Sequence, residues 1–293
     1  MSSVTKGFAS SPYDNLYSSQ PAKKPSADPN RDVTIKGGIV TAIHMELRKL
    51  KGSSFWWMAA GMALLTSAWS GAAFAKRAGG NPALRTVLLA DNEPYSFISL
   101  MAPILAALLT SRLAVMETGG RMNLKWLSLG QSEVTRFLAK FAVAGLALAM
   151  CFIIPLVWIP MAAKANGFSF AGSLARLLAV TSLIALFSSL AVTAVQLLIS
   201  MVIDKQAVGL GVGVIAGLIG SGLIAMDKPQ FGWLFPAGIS SAADPFVSLA
   251  TADGYAHVTM VGNPWICVVT SFAACVIWTV GSALMIKAKE SRR

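Results

Sequence analysis

The stretch Leu174–Val202, LARLLAVTSLIALFSSLAVTAVQLLISMV, decides the fold class of this chain. It contains a single charged residue, Arg176, and exceeds the roughly 20 residues with which a helix crosses a hydrocarbon core of about 30 Å. Its apolar residues do not alternate with polar ones, as they would in a strand of a transmembrane barrel. The stretch therefore predicts a membrane-spanning helix.

Five further apolar stretches of similar length lie before and after it. They are Ser54–Ala75, Tyr95–Met116, Phe141–Met161, Ala207–Met226 and Pro264–Ile286. The composition agrees, because 55% of the residues are hydrophobic and only 13% are charged, whereas a soluble domain is about 25% charged. We predict an all-α polytopic membrane protein with six transmembrane helices.

Positive charges are distributed unevenly between the two sides of these spans. Of the 24 Lys and Arg residues, 18 fall in the segments 1–53, 112–140, 203–206 and 287–293, which share one side. Cytoplasmic segments carry such an excess, so both termini are expected in the cytoplasm. The net charge of +11 thus reports orientation and an attraction to anionic membrane lipid, and we expect no nucleic-acid partner.

Two segments precede the first span. Residues 1–32 are rich in Ser, Pro, Lys, Asp and Asn, and they predict a disordered cytoplasmic tail, which leaves 33–293 as the transmembrane domain. Ile35–Lys51 is basic and amphipathic, with apolar residues spaced by three or four on one helical face. These are Ile35, Ile39, Ile43, Leu47 and Leu50. The pattern is typical of a helix that lies in the membrane interface.

Two connections are too long to be simple loops. Glu117–Lys140 combines a short apolar helical face with basic residues, and Ser132 is a candidate N-cap of the helix that follows. We predict a cytoplasmic surface helix in this segment. Asp227–Asn263 is apolar but interrupted by prolines, so short re-entrant or interfacial helices are expected before the last span.

A row of glycines four residues apart marks the fifth apolar stretch. Gly209, Gly213 and Gly217 would lie on one face of the helix. Small residues at this spacing allow two membrane helices to approach closely. The row predicts tight helix packing, and a flexible gate is the alternative interpretation.

Several catalytic and ion-coupling patterns are absent from the sequence. It has no G-x-x-x-x-G-K-S/T phosphate loop and no H-E-x-x-H zinc motif, and its two histidines, His44 and His257, are predicted on opposite sides of the membrane. No Asp, Glu or Lys lies deep in a predicted span, where an ion-coupled carrier commonly has one. We therefore expect no catalytic, cofactor or metal site in the chain, and a cytoplasmic partner that supplies energy.

Three short motifs resemble those of ABC-2 type permeases. Glu46–Ser53, ELRKLKGS, is similar to the E-x-x-K-x-K/R-x-S motif before the first span of that family. The second motif is the single residue Glu117, at the end of the second predicted span. The stretch from Trp126–Gly130 to Arg136–Lys140 looks like the family's lls-x-P…R…aK segment, with glycine or glutamine where many members have proline. The resemblance covers about residues 35–290 and is closest to the bacteriocin and lantibiotic immunity branch.

The resemblance implies a permease subunit that moves a hydrophobic or amphiphilic cargo, such as an antimicrobial peptide, outward across the bacterial plasma membrane. It implies two partners, a second permease subunit, homologous or identical, and a cytoplasmic ABC ATPase dimer that binds ATP and Mg²⁺. The permease itself is then not an enzyme. The segment 35–51 corresponds to the elbow helix, and the helix after the second span to the coupling helix. The implied coupling residues are Glu46, Arg48, Glu117, Arg121, Lys125 and Trp126.

Other functions also fit parts of the pattern. A membrane scaffold or sensor that does not transport would recruit a cytoplasmic partner through the tail and the 117–140 segment. A secondary carrier is disfavoured by the lack of acids deep in the spans. Other members of the resembling family export drugs, lipids, polysaccharides or heme-like molecules.

Overall fold

The structure, a computed structural model, describes residues 38–80, 82–118, 132–203, 205–250 and 256–292. Within these residues it confirms the predicted all-helical class, with six helices long and apolar enough to cross a membrane. The helices are α1 (Ile39–Leu50), α2 (Ser54–Ala78), α3 (Val87–Thr118), α4 (Glu133–Ala165), α5 (Leu174–Val202), α6 (Gln206–Ala225), α7 (Ile239–Ala242) and α8 (Pro264–Glu290), with short 3₁₀ turns at Pro82–Leu84, Pro229–Leu234 and Pro236–Gly238. Two strands, β1 (Phe246–Ala250) and β2 (Ala256–Met260), precede α8.

Serine side chains cap the first turn of three of the spans. Ser53, Ser132 and Ser173 each accept a hydrogen bond from a backbone N–H two or three residues further on, at 3.3, 3.1 and 3.4 Å. Such a cap stabilises a helix by about 1 kcal/mol. The predicted N-cap at Ser132 is confirmed.

Two helices begin well before the apolar stretches that they contain. α3 begins at Val87, eight residues before Tyr95, and α4 begins at Glu133, eight residues before Phe141. The polar residues at these helix starts lower the local hydropathy, which is why they suggest loops in the sequence. The predicted spans leave out two buried charged residues near these helix starts, Asp91 on α3 and Lys140 on α4.

The helices form a central group and a peripheral group. More than half of the most apolar window in each of α3, α4 and α5 is buried, and these helices share one apolar core that includes Leu105, Leu148 and Ile184. α2, α6 and α8 lie around them and expose large apolar side chains such as Leu218 and Phe272. In a bilayer this exposed surface meets lipid, which explains why it is apolar.

The segment between α6 and α8 returns into the bundle. Tyr95 on α3 donates its hydroxyl proton to the Ser240 carbonyl oxygen at 2.8 Å, and Ser241 Oγ donates to the Gly220 carbonyl oxygen at 2.6 Å. Short helices, as expected from the sequence, extend to residue 242. They are followed by a feature that the sequence analysis did not predict, an antiparallel hairpin in which Phe246 pairs with Met260.

The bundle has two ends, which we name by the elements found there. At the α1 end, Arg112 near the end of α3 donates to Ser54 Oγ at the start of α2, at 2.8 Å. At the hairpin end, the Val87 N–H at the start of α3 donates to the carbonyl oxygen of Ser169, between α4 and α5, at 3.1 Å. The buried charged groups at these two ends have different surroundings.

Candidate coupling site at the α1 end

A buried carboxylate joins three helices at the α1 end. Glu46 on α1 is 4% exposed, and its Oε1 accepts a hydrogen bond from Lys49 Nζ at 2.7 Å. Its Oε2 accepts from Lys140 Nζ on α4 at 3.3 Å. Lys140 is 1% exposed and also donates to the Leu113 carbonyl oxygen on α3, at 3.3 Å. One ion pair therefore connects α1, α3 and α4.

The geometry of this pair gives each charge a compensating partner. Moving a carboxylate and an ammonium group out of water is costly unless they pair and satisfy their remaining hydrogen bonds. Each oxygen of Glu46 receives a lysine, and Lys140 has both a carboxylate and a backbone acceptor. The junction therefore fixes α1 at a defined position against the bundle.

The face of α1 that turns inward differs slightly from the predicted apolar stripe. Ala42, Glu46 and Leu50, each four residues apart, are the buried residues of this helix, whereas Ile39 is 44% exposed. Ile43 and Leu47 are only partly buried at the edge of the core. The buried side is thus rotated from the predicted stripe, because the ion pair with α4 places Glu46 at the centre of the contact.

The other predicted coupling residues lie in different positions. Arg48 is on α1 but is exposed, so it does not join the buried ion pair. Glu117 is in the last turn of α3. Arg121, Lys125 and Trp126 lie outside the described residues.

Polar contacts also connect the end of α8 to its neighbours at this end of the bundle. The Glu133 N–H at the start of α4 donates to Glu290 Oε1 at 3.2 Å, and Lys289 Nζ donates to the Met201 carbonyl oxygen at the end of α5, at 3.1 Å. The starts and ends of α4, α5 and α8 are thereby fixed relative to one another. A force applied at this end would act on a connected group of helices rather than on one.

Two of the three glycines of the α6 row pack directly against α3. Gly209, Gly213 and Gly217 are buried. A Cβ at Gly213 would lie 2.8 Å from the Pro103 carbonyl oxygen, and a Cβ at Gly217 would lie 2.7 Å from that of Leu100. The backbones of α3 and α6 approach too closely for a side chain at either glycine. This contact supports the packing interpretation of the row.

The arrangement at the α1 end is suited to transmitting movement. It consists of an ion pair, helix ends and backbone contacts, and the described residues contain no group of three His, Cys, Asp or Glu side chains that could hold a metal ion. Residues 42–220, from α1 to α6, match the family described as ABC-2 family transporter protein.

The chain belongs to the ABC-2 transporter family. It is a membrane component of this kind of transporter, and ABC-2 permeases generally pair with a separate ABC ATPase. The matched region includes the Glu46–Lys140 ion pair and the contact of α6 with α3, and it ends before the hairpin and α8. A search of curated proteins found no match to the chain.

Lys140 and Leu113 were missed as members of the site. Glu46 begins the first motif that resembles ABC-2 permeases, and Lys140 ends the third, so these two motifs carried a signal for this pair. Their contact depends on the angle at which α1 crosses α4, which residue spacing along one helix does not define. The structure brings the two motifs together through this ion pair.

Proposed function

We propose that this ABC-2 membrane component is the permease subunit of an ATP-driven exporter. It pairs with a second permease subunit, homologous or identical, and with two cytoplasmic ABC ATPases that bind ATP and Mg²⁺. Both termini lie in the cytoplasm of a bacterial plasma membrane, an orientation that the charge bias of the sequence supports. The α1 end of the bundle then faces the ATPases.

The Glu46–Lys140 junction is the observation that carries this proposal. Leu113 lies five residues before the end of α3 and Lys140 lies seven residues after the start of α4. These two helices flank residues 119–131, which include the predicted coupling helix. The ion pair therefore links α1 to both helices between which the ATPase would dock.

This geometry supports a direct path for coupling. When the ATPases close on ATP, they displace the segment that joins α3 and α4, and the buried ion pair makes α1 move with these two helices. Arg48 and Glu117 complete the cytoplasmic surface, with Arg121, Lys125 and Trp126 as docking residues. The contact of Gly213 and Gly217 with α3 carries the same movement to α6.

The cargo in this proposal is an amphiphilic molecule such as an antimicrobial peptide, which the cell expels for self-protection. Its support is the motif resemblance to the bacteriocin and lantibiotic immunity branch and the large apolar surface of the spans. Such a cargo partitions into the membrane, so a permease can receive it from the lipid phase.

Charge reversal in the predicted coupling helix tests this function. In the complex reconstituted with its ATPase, R121E together with K125E should leave ATP hydrolysis in place and abolish ATP-dependent export. His44→Gln, an exposed substitution on α1, is the matched control and should transport normally. Export by the double variant at the wild-type rate would contradict the proposal.

Co-purification separates the exporter from the scaffold or sensor alternative. Gentle detergent extraction of the tagged chain should retain an ATPase that carries a phosphate-binding loop. Recovery of a kinase or of the chain alone would favour the alternative function.

A further inference from the structure

A cavity of about 640 Å³ lies between α2 and α3 at the hairpin end of the bundle. Trp69, Ala72 and Ala73 of α2 line it together with Leu84, so its wall is largely apolar. Trp69 is 60% exposed, and the cavity therefore opens on the outer surface of the bundle. Its volume is within the range of cavities that bind organic ligands.

The wall of this cavity follows one face of α2. Trp69, Ala72 and Lys76 are three or four residues apart, as are Trp69, Ala73 and Lys76, so they lie on the same side of the helix. The two alanines leave a groove between the indole ring and the ammonium group. Trp69 precedes Lys76 by seven residues, which places it about 10 Å further from the hairpin end. We call this surface the α2–α3 groove.

Cations surround the hairpin end of the α2–α3 groove. Lys76 and Arg77 line it, and Arg85 donates to the Gly80 carbonyl oxygen, also in its wall, at 3.2 Å. Among the described residues that line the groove, Glu93 of α3 is the only acid, and it forms an ion pair with Arg77. Lys76 and Arg85 have no ion-pair partner in the described part of the chain. The groove therefore carries an excess of positive charge.

The ion pair with Glu93 does not use the whole hydrogen-bonding capacity of Arg77. A guanidinium group has five N–H donors. Within the described residues, the buried Nε of Arg77 has no hydrogen-bond partner. Arg77 is thus held in place by α3 and keeps donors for a second anion.

The cations lie at the depth of the lipid headgroups. α2 has 25 residues, and a helix of this length measures about 37 Å, which exceeds the hydrocarbon core of about 30 Å. Lys76 and Arg77 are in its last turn, so they reach the headgroup layer. Trp69 and the two alanines then lie beside the acyl chains.

We propose that the α2–α3 groove binds one anionic phospholipid, with its phosphate on Lys76 and Arg77 and an acyl chain along Trp69, Ala72 and Ala73. Hydrogen bonds between phosphate oxygens and ionised Lys or Arg side chains are short and strong. The lipid is a resident partner that joins α2 to α3 and is not cargo. The inference does not depend on the proposed export.

Other occupants suit the groove less well. A free phosphate ion would leave the apolar wall uncovered. A zwitterionic lipid such as phosphatidylcholine would bring a quaternary ammonium group next to Lys76 and Arg85. A second protein surface would remove Lys76 from water, which is costly unless that surface supplies an acid to pair with it.

Quenching of tryptophan fluorescence by brominated lipid tests the proposal in the full-length chain. The chain is reconstituted in phosphatidylcholine vesicles with a rising fraction of phosphatidylglycerol brominated on its acyl chains. Brominated phosphatidylcholine is the matched lipid, and subtraction of the quenching in Trp69→Phe isolates the signal of Trp69. The anionic lipid should associate with Trp69 about five-fold or more strongly than the zwitterionic lipid. Equal association, or no quenching of Trp69 by either lipid, would overturn the proposal.

Two variants locate the lipid. Lys76→Gln should lose most of the preference for the anionic lipid, whereas Lys228→Gln, which removes another exposed cation at the hairpin end, should retain it. Both side chains are exposed, so both variants should fold, and equal midpoints of thermal unfolding in detergent check this. An unchanged preference in Lys76→Gln, or the same loss in both variants, would contradict the site.

Discussion

The two ends of the bundle both bury a carboxyl group, but only one end pairs it with cations. At the α1 end, Glu46 accepts hydrogen bonds from Lys49 and Lys140, and Lys140 also donates to the backbone of α3. At the hairpin end, Asp91 is fully buried, and no ion pair involves it among the described residues. A buried charge with a partner fixes helices against each other, whereas an isolated buried carboxyl group avoids the cost of its charge by holding its proton.

Under the proposed function, this difference suits the α1 end to transmit a movement from the ATPases to the bundle. The hairpin end has a cavity and buries Asp91, and burial raises the pKa of Asp244 at this end to about 7. The close contact of α6 with α3 lies between them, since Gly213 faces Pro103 and Gly220 faces Ala237 of the returning segment.

The largest effect is expected from removing one member of the paired charges. Lys140→Met leaves Glu46 buried with only Lys49, and loss of one partner of a buried ion pair costs about 3–5 kcal/mol. The variant should show a much lower midpoint of thermal unfolding in detergent.

The matched control for this variant removes both charges. Glu46→Met combined with Lys140→Met should be clearly more stable than Lys140→Met alone, since no uncompensated carboxylate remains. If the double variant is less stable than Lys140→Met alone, loss of the ion pair does not explain the destabilisation caused by Lys140→Met.

A smaller effect is expected in the glycine row between the two ends. In Gly213→Ala the new methyl group would lie 2.5 Å from Ala107 Cβ and 2.8 Å from the Pro103 carbonyl oxygen. Such overpacking costs about 1–3 kcal/mol. The control is Gly211→Ala on the same helix, where nothing lies within 4 Å. It should be neutral or slightly stabilising, and equal destabilisation by both substitutions would argue against the close contact.

A small effect is also expected at Asp91. An isolated buried carboxyl group avoids the cost of its charge by holding its proton, and asparagine has nearly the same shape, so Asp91→Asn should change the free energy of unfolding by less than about 1 kcal/mol. Thermal unfolding of the variant measures this change. A loss of stability comparable to that of Lys140→Met would mean that Asp91 is charged and has a structural partner.

The smallest effect is the contribution of Asp244 to the pH dependence of the free energy of unfolding. Its pKa is raised from 3.8 to about 7 by burial, so the folded state holds this proton more tightly than the unfolded chain. The resulting stabilisation is present below about pH 4 and is lost as the pH rises through about 7. Unfolding midpoints should therefore fall less between pH 6 and 8 in Asp244→Asn than in the wild type. Parallel pH curves for the two proteins would contradict this assignment.

The sequence predicted those features that depend on one element at a time. The six spans follow from apolar length, and the Ser132 cap follows from a serine before an acidic first turn. The start of α3 was missed because Asp91 and Glu93 suggest a loop, although the helix continues through them and neighbouring helices bury Asp91. Burial of a polar residue depends on its neighbours in space, and a hydropathy profile along the sequence does not describe these neighbours.

The hairpin had a local signal that the sequence analysis did not use. The runs 246–250 and 256–260 are short and rich in β-formers, and Asp253-Gly254 between them is a common turn pair. The proximity of both Asp91 and Asp244 to Tyr95 had no such signal. The two acidic residues are about 150 positions apart in the chain, and only the return of the segment into the bundle brings them near Tyr95.

One measurement tests most directly whether the ion pair at the α1 end couples the ATPases to the bundle. ATP hydrolysis and ATP-dependent export of a fluorescently labelled amphiphilic peptide are measured for the complex reconstituted with its ATPase. Glu46→Gln should keep ATP hydrolysis but lose most of the export, because the amide no longer forms the ion pair with Lys140 that joins α1 to α3 and α4. Export by Glu46→Gln at the wild-type rate would contradict the account.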